Sequence, residues 1–185
     1  MVSRITLICS LAEAGDRFPG DDPPSPAALA RITPLTGARL CLTSPLARAT
    51  MTARALGQDA VAEPALRELE YGLWAGQGIN EVLARSPTAF AEWLLNPEAA
   101  PHGGESHAAM AHRVAAWLER QAEARQVLVA VTHPGPIQAA VAHILGAPLT
   151  AMRQIAVRPL SRTRLSHDGR RWSIALGGRE GEDPI

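Results

Sequence analysis

The chain has 185 residues, 46% of them apolar and 19% charged, which suits one soluble globular domain with a sizeable core. Its 18 basic and 18 acidic residues cancel to a formal net charge of zero, so no bulk field favours nucleic acid or an anionic membrane. All 18 basic residues are arginine, which rules out a Schiff-base or P-loop lysine and leaves guanidinium as the only fixed cation for phosphate or carboxylate.

In chain order, residues 4–9 (RITLIC) read as a buried strand that opens into a loop at Ser10-Leu11. Arg4, the apolar run and Ala12-Glu13-Ala14 mimic a signal peptide. The segment is short for one, and its β-branched residues favour a strand, so a cytoplasmic protein is expected. Residues 15–27 (GDRFPGDDPPSPA) form a long loop, followed by a short helix over 26–33 and a second strand over 38–43. Ser44-Pro45 then predicts a helix start, with Ser44 as cap and Pro45 in the first turn; Leu46, Ala53 and Leu56 face inward and Gly57 ends the helix. The two cysteines, Cys9 and Cys41, each close a strand and read as small core residues.

Glu68 and Glu70 alternate with Leu69 and Tyr71 in LRELEYGLWAG (66–76), as on a strand or extended loop. A second loop spans 97–106, and residues 77–104 are expected to cover the pocket. Met110, Val114, Trp117 and Leu118 recur at helical spacing over 106–124. The run VLVAVT (127–132) reads as a central strand covered on both faces; His133 follows, then a helix over 136–145 closed by Gly146. Residues 154–158, 160–166 and 171–176 look like short strands, with Asp168-Gly169 as a hairpin turn, and the tail from Gly177 looks frayed. One domain over 1–177 and a flexible tail over 178–185 are therefore expected. His102, His107 and His112 recur every five residues, which scatters side chains around a helix, so they read as solvated and imply no metal. Trp74, Trp93, Trp117 and Trp172 read as core.

The alternation of strands and helices predicts an α/β fold, a three-layer α/β/α sandwich with a mostly parallel sheet. In such sheets ligands sit beyond the carboxyl ends of the strands. Three strand ends matter, at Cys9-Ser10, Ser44 and His133, and helices begin directly after the last two. Helix N-termini suit anions. Arg48, one turn past Ser44, can reach back to the same place, and a carboxylic acid such as Glu68 could protonate a leaving oxygen there. In HGGES (102–106), Gly103 and Gly104 would let backbone approach a ligand closely.

Together SPLARATMTA (44–53), LRELEYGLWAG, HGGES and VAVTHPGPIQA resemble four motifs of the histidine phosphatase superfamily, the phosphoglycerate-mutase-like fold, in order and over nearly the whole chain. The flavour is that of its alpha-ribazole-phosphatase-like or broad phosphoglycerate-mutase-like bacterial branch. The resemblance implies an Arg-His-Gly motif after the first strand, whose His takes the phosphoryl group as a phosphohistidine. A second Arg and a second His clamp the phosphoryl oxygens, and a Glu protonates the leaving group. Carried over, these are Arg48, His133 and Glu68, with Gly135 as a phosphate-binding position and Gly103, Gly104 and Glu105 as a substrate loop. No cofactor is implied.

The sequence departs from the motif at the nucleophile. The Arg and His positions hold Cys9 and Ser10; a shifted register would place Ser10 and Leu11 there. Pro134 after His133 also removes an N–H. The leading expectation is a degenerate member, a pseudoenzyme that binds a phosphorylated or anionic small molecule through what is left of the pocket. One alternative is an active phosphomonoesterase with another nucleophile, Ser10 served by His133 or Cys9 as a thiolate near Arg48. Another is an interaction or structural protein with no ligand. An engineered inactivation fits less well, since a single His replacement would leave the Arg in place. Oligomeric state stays open, a homodimer included.

Overall fold

The computed structural model describes residues 2–12, 15–37 and 40–175. The expectations for Leu176 and for the tail lie outside them, as do residues 38 and 39 of the predicted second strand. The domain is a six-stranded sheet in the order β3-β2-β4-β1-β5-β6, built from β1 (Ser3–Cys9), β2 (Cys41–Thr43), β3 (Val61–Ala62), β4 (Val127–Thr132), β5 (Arg162–His167) and β6 (Trp172–Ala175). β1, β2, β3 and β4 run parallel, and β5 and β6 are antiparallel. This is the expected α/β sandwich with a mostly parallel sheet.

The period-2 alternation of the strands sorts side chains between two cores. Ile5, Leu7 and Cys9 of β1 and Leu128 and Ala130 of β4 face one side. They meet Met110, Val114 and Trp117 from α5 (His107–Ala124) and Ile137 from α6 (Pro134–Leu145). On the other side Ile8, Val129 and Val131 meet Ala49 and Ala53 of α2 (Ala47–Ala55). Burying several such side chains, at roughly 1.5–3 kcal/mol each, is what holds the strand ends in register. A third cluster, Phe18, Trp74, Val82 and Phe90, lies under α3 (Ile79–Arg85) and α4 (Pro87–Leu95). Trp74 and Trp117 are buried and Trp93 and Trp172 half-buried, as core residues are. Among the described residues no helix is long and apolar enough to cross a membrane.

Several boundaries differ from expectation. The first helix, α1, covers only Pro26–Leu29 and continues to Ile32 as turn bonds, because Pro34 cannot extend it. Residues 149–154 form a 3₁₀ turn, not a strand over 154–158; the chain then bends through Pro159 and Leu160, at φ 61°, into β5. α6 begins at Pro134, two residues earlier than read.

Candidate active site

The parallel strands deliver three residues to one edge of the sheet. Cys9 pairs with Thr132, so Ser10 emerges beside His133, and Ser44 follows β2 on the other side of β4. The Ser10 N–H donates to the Thr132 carbonyl at 2.6 Å, and the Ser44 N–H to the Val131 carbonyl at 2.8 Å. Both serines are thereby held against the strand that carries the histidine.

The His133 ring is the centre of the site. Its Nδ1 accepts from Arg48 Nε–H at 2.9 Å and from the Ser10 hydroxyl at 3.1 Å. Its Nε2 lies 2.7 Å from Ser44 Oγ. Arginine can only donate, so Nδ1 is bare, the proton sits on Nε2, and Nε2–H donates to Ser44. Burial, reinforced by the Arg48 and Arg113 charges, holds the His133 pKa well below its ordinary value, and the ring is neutral. The expectation that Arg48 and His133 share one pocket is met by direct contact.

Arg48 is the second residue of α2, and its guanidinium points back to the sheet edge. Its Nη1 donates to the Gly20 carbonyl at 2.9 Å, and its Nη2 lies 3.9 Å from Glu68 Oε2. The helix start itself is a correction: Leu46, not Ser44, is the N-cap, and Pro45 lies outside the helix. Ser44 Oγ accepts the Leu46 N–H at 3.3 Å, but its short contact is with His133.

Glu68 is buried and takes N–H bonds from Leu69 at 2.9 Å and Gly135 at 3.5 Å. Burial pushes its pKa up, and the backbone bonds and Arg48 offset this only in part. A carboxyl group whose pKa is raised by burial is shifted in the direction that a general acid needs. Gly135 has no room for a side chain, because a Cβ would run into the Glu68 carboxyl group. Its N–H is directed to Glu68.

In front of these residues lies a cavity of about 320 Å³. Arg48 and Glu68 line it, with Gly20 and Asp21 on one wall and Arg67 and Tyr71 on the other. Ser10 and His133 sit behind Arg48, 1% and 0% exposed. The wall carrying Asp21 was missed from sequence, where GDRFPGDDPP read only as loop. Asp21 Oδ1 accepts the Ala47 N–H at the start of α2 at 2.6 Å, so the chain's own oxygens from Gly20 and Asp21 meet Arg48 and the helix terminus. Ser44 was also missed as a partner of the histidine, because its position before a helix already explained it as a cap.

Other expected site residues fall elsewhere. The Cys9 thiol points into the core with its pKa pushed up to about 12, chiefly by burial, so it is no thiolate. Glu105 is paired with Arg113, Nε–Oε1 at 2.7 Å. Gly103 and Gly104 belong to a loop locked onto residues 70–73: Glu105 N–H donates to the Glu70 carbonyl at 2.8 Å and Leu73 N–H to the His102 carbonyl at 2.9 Å. Cβ atoms at Gly72 and Gly104 would collide with that facing backbone, which explains both glycines. His102 and His107 are not solvated as read: His102 is 0% exposed and packs edge-on to Trp74 at 5.1 Å, and His107 lies 5.2 Å from Trp93. His112 is exposed. Among the described residues no group of three or more potential ligands could hold a metal.

A family model for the histidine phosphatase superfamily (branch 1) matches residues 26–178, a stretch that starts beyond β1. The chain is 32% identical over 114 residues to phosphoserine phosphatase 1 of Hydrogenobacter thermophilus, covering 58% of this chain and 54% of that protein. It is 36% identical over 134 residues to glucosyl-3-phosphoglycerate phosphatase of Mycolicibacterium vanbaalenii, covering 65% and 58%. The matched stretch thus spans little more than half of each relative. In structure it resembles mycobacterial glucosyl-3-phosphoglycerate phosphatase in complex with VO3, with a TM-score of 0.74 at 26% identity over 94% of this chain and 98% of the other. It also shares its fold with alpha-ribazole phosphatase of Shigella flexneri, with a TM-score of 0.78 at 22% identity over 94% and 95%.

Proposed function

Because the chain belongs to branch 1 of the histidine phosphatase superfamily, we propose that its pocket takes a phosphorylated or otherwise anionic small molecule and handles it with little or no phosphohistidine chemistry. One observation carries this reading: a serine hydroxyl, not an imidazole, faces His133 Nδ1 at 3.1 Å. Arg48, held by His133 Nδ1, still presents a guanidinium to the cavity, and Glu68, its pKa raised by burial, lies 3.9 Å from it. The relatives named for phosphoserine and glucosyl-3-phosphoglycerate support a phosphomonoester as the ligand class. Cysteine at position 9 removes a charge-assisted contact, which weakens phosphate binding by about ten- to a hundredfold. Loss of a covalent nucleophile lowers the rate by several orders of magnitude.

The second reading is favoured by the same distance. Ser10 Oγ would bond to phosphorus as the ester P–O bond breaks, with its proton passing to His133 Nδ1 and the Glu68 proton to the leaving oxygen. Against it, the Nδ1 lone pair is shared with Arg48 Nε–H. Titration with orthovanadate and assay with p-nitrophenyl phosphate separate the two readings. The expected outcome is vanadate binding without turnover, and turnover gained in Cys9→Arg/Ser10→His. Turnover by the unaltered chain that Ser10→Ala abolishes would establish the serine mechanism, and absence of vanadate binding would remove both.

A further inference from the structure

His102 is a fully enclosed titratable side chain that does not line the Arg48 cavity. Its ring packs edge-on to Trp74 at 5.1 Å and lies 6.0 Å from that of Tyr71. Its Nδ1 accepts the Gly104 N–H at 3.0 Å, so the neutral ring carries its proton on Nε2. That Nε2 is buried with no hydrogen-bond partner among the described residues. The ring thus closes the turn from residue 102 to 104, much as an asparagine side chain bonds the backbone two residues on. The same turn holds the pocket wall. Leu73 N–H donates to the His102 carbonyl at 2.9 Å and Glu105 N–H to the Glu70 carbonyl at 2.8 Å. Glu70, Tyr71 and Gly72 in turn line the cavity in front of Arg48.

We propose that His102 is a proton-sensitive latch and a positioning residue: neutral, it holds the 102–105 turn against residues 70–73 and so fixes the wall of the Arg48 pocket; protonated, it releases both. A second ring proton would sit on Nδ1 and point at the Gly104 N–H, donor against donor, so that bond is lost. It would also leave an enclosed cation whose Nε2–H has no acceptor, and a buried charge is costly unless it is paired and hydrogen-bonded. The groups facing the ring come from three elements. Glu70, on the wall, favours the charged form, but burial outweighs it and lowers the His102 pKa. Tyr71 stays neutral, because burial pushes its pKa up. His107, at the start of α5, has its pKa pushed down to about 4 by burial, with the Arg153 and His102 charges adding to this, so it stays neutral where His102 titrates. In the released turn the solvated ring regains its ordinary pKa of about 6.5. Closure is therefore favoured above that pH and lost as pH falls, by at most about tenfold per pH unit for one proton.

Amide hydrogen exchange of the full chain, read by NMR at about pH 7 and about pH 5, tests this. Protection at Gly104 and Glu105, corrected for the intrinsic pH dependence of exchange, should fall by about threefold or more. The amides of β4 should stay far better protected at both pH values, which marks the opening as local. His102→Asn keeps an acceptor for the Gly104 N–H and cannot titrate, so its protection should not change with pH. His102→Ala should have lost that protection at both pH values. Micromolar orthovanadate reads the wall: the parent's affinity relative to that of the Asn variant should drop by about threefold or more over the same interval. This arm rests on the anion-binding reading of the Arg48 pocket and the exchange arm does not, so absence of vanadate binding would count against that reading, and the exchange result would still decide the latch. The latch is overturned by pH-independent protection in the parent, by the same pH profile in the Asn variant, by Gly104 protection that merges with that of β4, or by bound vanadate whose affinity ratio stays constant.

Discussion

The carboxyl ends of β1 and β4 lie side by side, yet they deliver different chemistry. Cys9 is opposite Thr132, and Ser10 and His133 come next in step, one hydroxyl beside one imidazole. The β4 end carries a fully ordered ring: it is neutral, its tautomer is set by Arg48, and its N–H is satisfied by Ser44. The β1 end has the backbone of that site without its charge, since the Cys9 side chain turns into the core and Ser10 only leans on Nδ1. Leu7, Ile5 and Cys9 hold β1 in place through burial, and that packing is indifferent to the side chain at position 10.

The β4 end is the one that a single substitution damages most. Arg48→Ala would strip Nδ1 of its strong donor, leave the Gly20 carbonyl unpaired and remove the cation beside Glu68. Removing one partner of a buried charged pair costs about 3–5 kcal/mol. Because burial shifts Glu68 toward its neutral form, we expect the lower end, about 3 kcal/mol in urea denaturation, together with complete loss of vanadate binding. Stability within about 1 kcal/mol of the parent, or retained vanadate affinity, would show that Arg48 is not the hinge of the site.

The two serines give a finer contrast with the same ring. Ser44→Ala leaves Nε2–H buried without an acceptor, and the tautomer cannot switch, because Nδ1 must stay bare for Arg48. A stranded buried donor costs about 1–3 kcal/mol. Ser10→Ala removes a donor from a nitrogen that keeps another, so less than about 1 kcal/mol is expected. Thermal melts of the two variants side by side check this; equal losses would mean that Ser10, not Arg48, sets the ring.

Much of this contrast was legible in the sequence, and the exceptions have physical causes. The run VLVAVT ends abruptly at His133, and the helical spacing of Met110, Val114 and Trp117 is unambiguous, so β4 and α5 appear where expected. Arg48 and Glu68 were found from residue type and motif resemblance. The Ser44 cap was misassigned because a serine before Pro45 satisfies a local rule, whereas its hydroxyl is taken up by a histidine 89 residues away. His102 was misread for a similar reason: it precedes α5 rather than lying on it, and Trp74 buries it from another segment. The strap bearing Gly20 and Asp21 carries no periodic signal, because its role is set by where a loop lands.

A change of pH separates the acid from the ring. Glu68 has its pKa raised by burial, so the folded state binds a proton that the unfolded chain releases near about 4.3. Its stabilising contribution is present below that value and is lost as pH rises through the folded pKa. His133 has the opposite sign: its lowered pKa contributes stability above about 6.5 that is lost as pH falls. Each slope is at most about 1.4 kcal/mol per pH unit for one proton. Urea midpoints taken across pH should therefore show Glu68→Gln flattening the decline on the alkaline side and leaving the acid side alone. A Gln variant with the parent's alkaline slope would mean that Glu68 is already ionised in the fold.

The smallest effect concerns the wall, where the pocket is met by the chain's own oxygens. Asp21 Oδ1 caps the Ala47 N–H at 2.6 Å, close to the guanidinium that an incoming anion would need. A carboxylate at a helix N-terminus is stabilised by the partial positive charge there, and it competes with any other anion for the same field. Asp21→Asn keeps an oxygen for Ala47 and removes the charge. The field effect at a helix end corresponds to about a two- to fivefold change in affinity, so vanadate should bind that much more tightly to the variant, with the gain shrinking as salt is added. Weaker binding would reverse the assignment, because it would make Asp21 a group that orders α2 for the ligand rather than one that stands in its place.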